Sequence, residues 1–174
     1  TVDSGNLAGM QLTLRQGIIA IPEQPIIGSQ LFDGLYDTLL ILKDEQKKTE
    51  DIQSFQKNLD AIRNLHPITL SALKPLVEKL VETAERIAAD STEINLANRD
   101  IWANSLLSQC KNVVREISIL MPWALLPPVP PRFAAIPGLD TIPTLAELSM
   151  LEGKLSTQLN DLVEGELTVA EKKW

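Results

Sequence analysis

The chain has 174 residues, 44% hydrophobic and 22% charged, with 16 Lys+Arg against 23 Asp+Glu and a formal charge of −7. That length suits one domain or two small ones able to bury roughly 70% of the unfolded surface, and the composition is that of a globular rather than a disordered chain. An acidic balance with no basic run argues against nucleic acid as a partner, and a single cysteine, Cys110, with a single histidine, His66, excludes an internal disulfide or a Cys/His metal cluster.

The opening residues do not read as a signal peptide. Its longest apolar stretch, Ile117 to Val129, is interrupted by Pro122, Pro127 and Pro128. It falls short of the roughly 20 residues that a membrane-spanning helix needs. The segment therefore reads as soluble.

The first seventeen residues place a polar cluster, Asp3, Ser4 and Asn6, beside glycine where an apolar helical pattern begins. Carboxylate and amide groups at a helix mouth suit sugar binding, and the same residue types are also the preferred helix N-caps. Leu7, Met10, Leu14 and Ile18 predict a first helix over about Ser4 to Ile19, broken by Pro22 and Pro25. The chain starts without Met and inside this motif, which reads as a piece excised from something larger. Leu7, Leu14 and Ile18 are then expected to be partly exposed, or to form a dimer contact.

Leu31, Leu35, Leu39 and Leu42 mark a second helix ending near Lys43, weakened at Gly34. A third carries the stripe Ile52, Phe55, Leu59, Ile62 and Leu65 and ends at His66-Pro67. The fourth carries Leu73, Leu76 or Val77, Leu80, Ala84 and Ile87, with Pro75 near its start, where a missing N–H costs little. Asp90-Ser91-Thr92-Glu93 reads as a stop and a capping box before a long fifth helix, Glu93 to Leu120, with Trp102, Leu106, Cys110, Val113, Ile117 and Leu120 as its seam.

Seven of the eleven prolines then fall between Pro122 and Pro143, a stiff apolar strap expected to lie against the helices. Thr144 to Glu147 is a capping box opening a sixth helix to about Val163, and Thr168 to Glu171 is another. Strand signals are nearly absent. The expected fold is all-α, a bundle of about six helices with a proline-rich extended segment. It divides into 1–20, 26–121, 122–143 and 144–174.

Little in this pattern signals catalysis. The acidic residues of Lys43 to Asp51 read as solvated surface, and no carboxylate pair of the glycosidase kind stands out. His66 reads as a loop or helix-end residue, and Cys110 as a small core residue. Trp102 and Trp123 have faces that stack on sugar rings, yet their apolar settings favour core packing.

The opening Thr1-Val-Asp-Ser-Gly-Asn-Leu-Ala-Gly9, with Leu12, Leu14, Gln16 and Gly17, closely resembles a stretch of the bacterial cyclic β-1,2-glucan synthases. The likeness continues in Ile101-Trp-Ala-x-x-Leu106-x-x-Gln109, in Leu120-x-Pro122-Trp123 and in Ile142-Pro-Thr-Leu-Ala-Glu-Leu148, whereas Ile26 to Asp90 match only in helical character. The resemblance implies a large inner-membrane enzyme that builds β-1,2-glucan from UDP-glucose and closes it into rings. This segment would be the start of its glucoamylase-like, (α/α)6-barrel-type region, on the cytoplasmic side. Asp3 and Asn6 are carried over as glucan contacts. No catalytic residue, metal ligand or cofactor site is carried over, because the family's acid residues are expected beyond Trp174. The piece is therefore expected to be catalytically silent, with neighbouring domains of the parent as partners. The competing reading is a helical interaction module for domain docking or oligomerisation that never touches sugar.

Overall fold

A computed structural model of the chain describes residues 2–45, 49–65, 68–90, 97–127, 129–134, 136–163 and 166–173, the side chains of 2, 3, 45, 97, 161 and 163 excepted. Within them lie α1 (Val2–Ala20), α2 (Ser29–Glu45), α3 (Glu50–Arg63), α4 (Leu70–Ala89), α5 (Ala97–Leu120), α6 (Leu145–Val163) and α7 (Val169–Lys173). Single 3-10 turns occupy Ile21–Glu23 and Pro122–Leu125. Among the described residues there is no strand, only the isolated bridges Pro25–Thr144 and Thr69–Thr141. The molecule is all-α.

Helices α2 to α5 close a four-helix ring: each packs on its sequence neighbour, and α2 meets α5. Short connections force consecutive helices to run antiparallel, which is how such bundles form. The apolar periodicity supplies the interior. Ile52, Phe55, Leu59 and Ile62 of α3 are buried, as are Leu73, Val77, Leu80, Ala84 and Ile87 of α4. So are Ala103, Leu106, Cys110, Val113 and Ile117 of α5. On α2 the buried set is Phe32, Leu35, Leu39 and Leu42, with Leu31 only half-buried, because the wider phenylalanine takes the inward position beside it. Trp102 and Leu120 flank the α5 seam, half-buried against the core.

Local chemistry sets the ends. Thr49 Oγ1 accepts from Ile52 N at 3.3 Å, and Thr69 Oγ1 accepts from Ala72 N at 3.3 Å, capping α3 and α4. Helix α3 stops at Arg63 with Asn64 as its C-cap, so Leu65 lies beyond the stripe. Pro75 is not at the opening turn of α4 but inside the helix, past the turn where its missing N–H would cost nothing. His66-Pro67, Ser91 to Glu93 with the capping box assigned to them, and Trp174 lie outside the described residues.

Polar staples tie the ring together. Gln109 Nε2 donates to Thr38 Oγ1 at 3.0 Å, joining α5 to α2 through a buried threonine. On the surface, Arg63 pairs with Asp33 at 3.0 Å while its guanidinium lies 4.5 Å from the Tyr36 ring centre, and Arg86 pairs with Asp51 at 2.8 Å. Exposed pairs of this kind contribute about 0–1 kcal/mol each.

The strap does lie on the helices. Leu70 N donates to Asp140 O at 2.9 Å, and Ile26 N donates to Pro143 O at 3.0 Å. Phe133, Ile136 and Leu139 form a second small core with Leu155, Leu159 and Leu162 of α6 and with Leu167. Trp123 joins the two cores, packing on both. Gly138, at φ +94°, makes the turn that brings Leu139 and Asp140 back onto α4, a backbone region costly for any side chain.

Both downstream capping boxes form. Thr144 N donates to Glu147 Oε2 at 2.8 Å and Glu147 N to Thr144 Oγ1 at 3.1 Å. Thr168 N donates to Glu171 Oε2 at 2.7 Å and Glu171 N to Thr168 Oγ1 at 3.3 Å. The Thr168 backbone N–H, then its hydroxyl, hold the Glu171 carboxyl below the usual carboxylate range. A depressed folded-state value means the stabilisation is present above the unfolded-state pKa and lost as pH falls through the folded one. Helical Cα shifts at Ala170 and Lys172 should therefore persist at neutral pH and decline as the solution is taken below pH about 4. Glu171→Gln keeps a capping side chain but cannot ionise, so it should remove that pH dependence. An unchanged acid titration of α7 in Glu171→Gln would refute the assignment.

Candidate functional site

The opening motif occupies α1, which begins at Val2, two residues before the expected start. Asp3, Ser4 and Asn6 consequently sit within the first two turns rather than outside the helix mouth. Ser4 and Asn6 are thus not N-caps, because a cap residue leaves helical geometry. Asn6 is exposed, and the Asp3 side chain lies outside the described residues. With Gly5, Gly9, Met10, Thr13 and Leu14, Asn6 lines a shallow groove along the helix surface. Added Cβ atoms at Gly5 or Gly9 would meet nothing within 4 Å. This face is shallow and open, able to meet a surface but not to enclose a sugar.

Every described side chain of α1 is exposed, and among the described elements the helix packs only on the 3-10 turn that follows it. Leu7 is 58% exposed, Met10 71%, Leu14 64% and Ile18 57%, which excludes any share in the bundle core. At 100° per residue these four form one stripe, while Leu12 and Ile19 fall on the opposite side. Such a helix has no dry face and no wet face. That distribution belongs to helices enclosed on more than one side.

A second feature was not anticipated from the sequence. Where the strap crosses the start of α4 there is a cavity of about 550 Å³, walled by Leu70, Trp123, Leu126, Ile136 and Leu139 with Ser71, Lys74 and Asp140 at its edge. The sequence pattern puts Trp123 in an apolar loop and the strap against the helices. It offers no sign that the two leave space between them.

Elsewhere the reactive groups are engaged structurally. Cys110 is buried on α5, and burial pushes its thiol up to about 12, a small apolar residue rather than a nucleophile. Among the described residues no set of three His, Cys, Asp or Glu side chains is placed to hold a metal ion. Arg99, 4% exposed, is the most unexpected charged group. Its Nη1 donates to Asp90 O at 2.8 Å and its Nη2 to Ile87 O at 3.4 Å, closing the C-terminal end of α4. A cation there also meets the negative end of the helix dipole. Its sequence neighbours Asn98 and Asp100 are polar, so only packing reveals its burial. Against known proteins, no family model, curated relative or solved structure matches the chain.

Proposed function

We propose that this chain is a catalytically silent helical scaffold within a cyclic β-1,2-glucan synthase-like enzyme, and that α1 is the element by which it docks to the rest of that enzyme. One observation carries the reading: a helix apolar on opposite sides stands exposed beside a bundle that is complete without it. Enclosing such a helix recovers about 25 cal/mol for each Å² of apolar surface removed from water. The motif resembling the synthases lies on this same helix. Its burial would therefore be completed by neighbouring domains of the parent.

In this reading Asp3 and Asn6 become one wall of a glucan cleft only once α1 is docked. The parent is an inner-membrane enzyme and this segment faces the cytoplasm; no helix among the described residues is long and apolar enough to cross a membrane. The open, shallow setting of Asn6 favours a second form, in which α1 docks to a neighbouring domain or a second copy with no sugar contact.

Amide hydrogen exchange on the dilute chain tests the docking. Residues 7–18 should exchange far faster than the α3 and α4 cores, and should gain protection in the longer enzyme or on self-association. Strong protection in the dilute monomer would mean that α1 is buried in its own chain, and would overturn the proposal. Titration with β-1,2-glucooligosaccharides separates the two forms. Localised amide shifts from Asp3 to Leu7 support the cleft wall, and none supports docking alone.

A further inference from the structure

The cavity beneath the strap has the size of a small-molecule site, within the roughly 300–1,000 Å³ of such pockets. It is held open. The Trp123 indole N–H donates to Leu139 O at 3.0 Å, tying one wall to another, and Leu70 N donates to Asp140 O at 2.9 Å across its floor. Leu126 and Val129 remain 39% and 40% exposed at its edge, apolar surface that nothing among the described residues covers.

Its polar groups are mostly engaged with one another. Ser71 N and Ser71 Oγ donate to the two carboxylate oxygens of Asp140, at 2.7 and 2.8 Å, so that charge is already matched to the start of α4. Thr141 Oγ1 donates to Gly138 O at 3.2 Å. Lys74 remains, half-buried and with no carboxylate within 4.0 Å among the described residues. A polyol would give up its hydrogen bonds to water against these walls and find few replacements, which disfavours a sugar here.

We propose that the cavity binds a single-chain amphiphilic acid, its apolar tail between Trp123, Ile136 and Leu139 and its carboxylate at Lys74. The tail would cover Leu126 and Val129, and the head group would supply an anion for Lys74. This site is independent of α1, so its failure would leave the docking reading untouched.

The probe is decanoate, titrated into the whole chain below its micellar concentration and followed by calorimetry and amide shifts. Saturable one-to-one binding is expected, with shifts at Leu70, Trp123 and Ile136. Affinity should rise about fourfold per added methylene from octanoate to dodecanoate. Lys74→Gln should weaken decanoate about tenfold while leaving decanol unchanged. Val129→Glu, which sets an anion at the edge, should weaken decanoate as well.

Absence of saturation, or shifts confined to α1, would overturn the site. Equal affinity for decyltrimethylammonium would overturn the carboxylate assignment. Sedimentation of the chain with dioleoylphosphatidylglycerol vesicles without binding of free decanoate would assign the apolar edge to a bilayer, and would overturn it too.

Discussion

Replacing Phe55 with alanine should lower the stability of the helical bundle by about 3–5 kcal/mol. The ring has 0% exposure on α3, which packs on both α2 and α4, so its removal leaves a void that neither neighbour can close without moving. For a chain of this size the loss corresponds to a fall in melting temperature on the order of 10 °C. Leu14→Gln on α1 removes a side chain of similar hydrophobic character, yet should change stability by less than about 0.5 kcal/mol, because Leu14 is 64% exposed. Urea unfolding followed by far-ultraviolet circular dichroism distinguishes the two. Comparable losses would mean that α1 belongs to the core, contrary to its packing here.

Arg99→Met should cost about 1–3 kcal/mol, a large effect for a charged residue between polar sequence neighbours. A buried ion pair can often be exchanged for apolar side chains at no loss. Here the principal acceptors are the carbonyl oxygens of Ile87 and Asp90, which remain when the guanidinium is gone. An orphaned buried acceptor costs about 1–3 kcal/mol at Ile87 and less at the exposed Asp90, and that outweighs the gain from removing a charge whose Nε finds no partner among the described residues. Arg63→Met provides the contrast. Arg63 and Asp33 are 36% and 54% exposed, so their pair should contribute no more than about 1 kcal/mol and fade in concentrated salt. If the Arg99→Met loss also disappeared in 1 M salt, the capping role would be wrong.

Much of the architecture was legible because burial repeats at the helical period. The Ile52–Phe55–Leu59–Ile62 stripe admits one solution, a helix with that face inward. The boxes Thr144–Glu147 and Thr168–Glu171 were legible for a different reason, since a cap bonds within one turn and needs no distant partner. Where two neighbours compete for one inward position, as Leu31 and Phe32 do, periodicity alone does not choose. The caps Thr49 and Thr69 are not legible as capping boxes, because no reciprocal Glu or Gln stands three residues on.

The candidate sites divide along the same line. The opening motif is read from adjacent residues, so its placement on a helix could be foreseen, although Asp3, Ser4 and Asn6 fall inside that helix rather than at its mouth. The cavity under the strap could not be foreseen. Its walls come from α4, from the 3-10 turn at Trp123 and from the residues around Gly138, segments far apart in the chain.

The order of residues alone settled the all-α class, the inward faces of α3, α4 and α5 and the two downstream caps, since each depends on spacings of three or four residues. Tertiary packing decided that α1 stands outside the bundle, that Arg99 closes α4 and that Trp123 joins two cores around a cavity. These depend on which surfaces meet, and local periodicity carries no record of the partner.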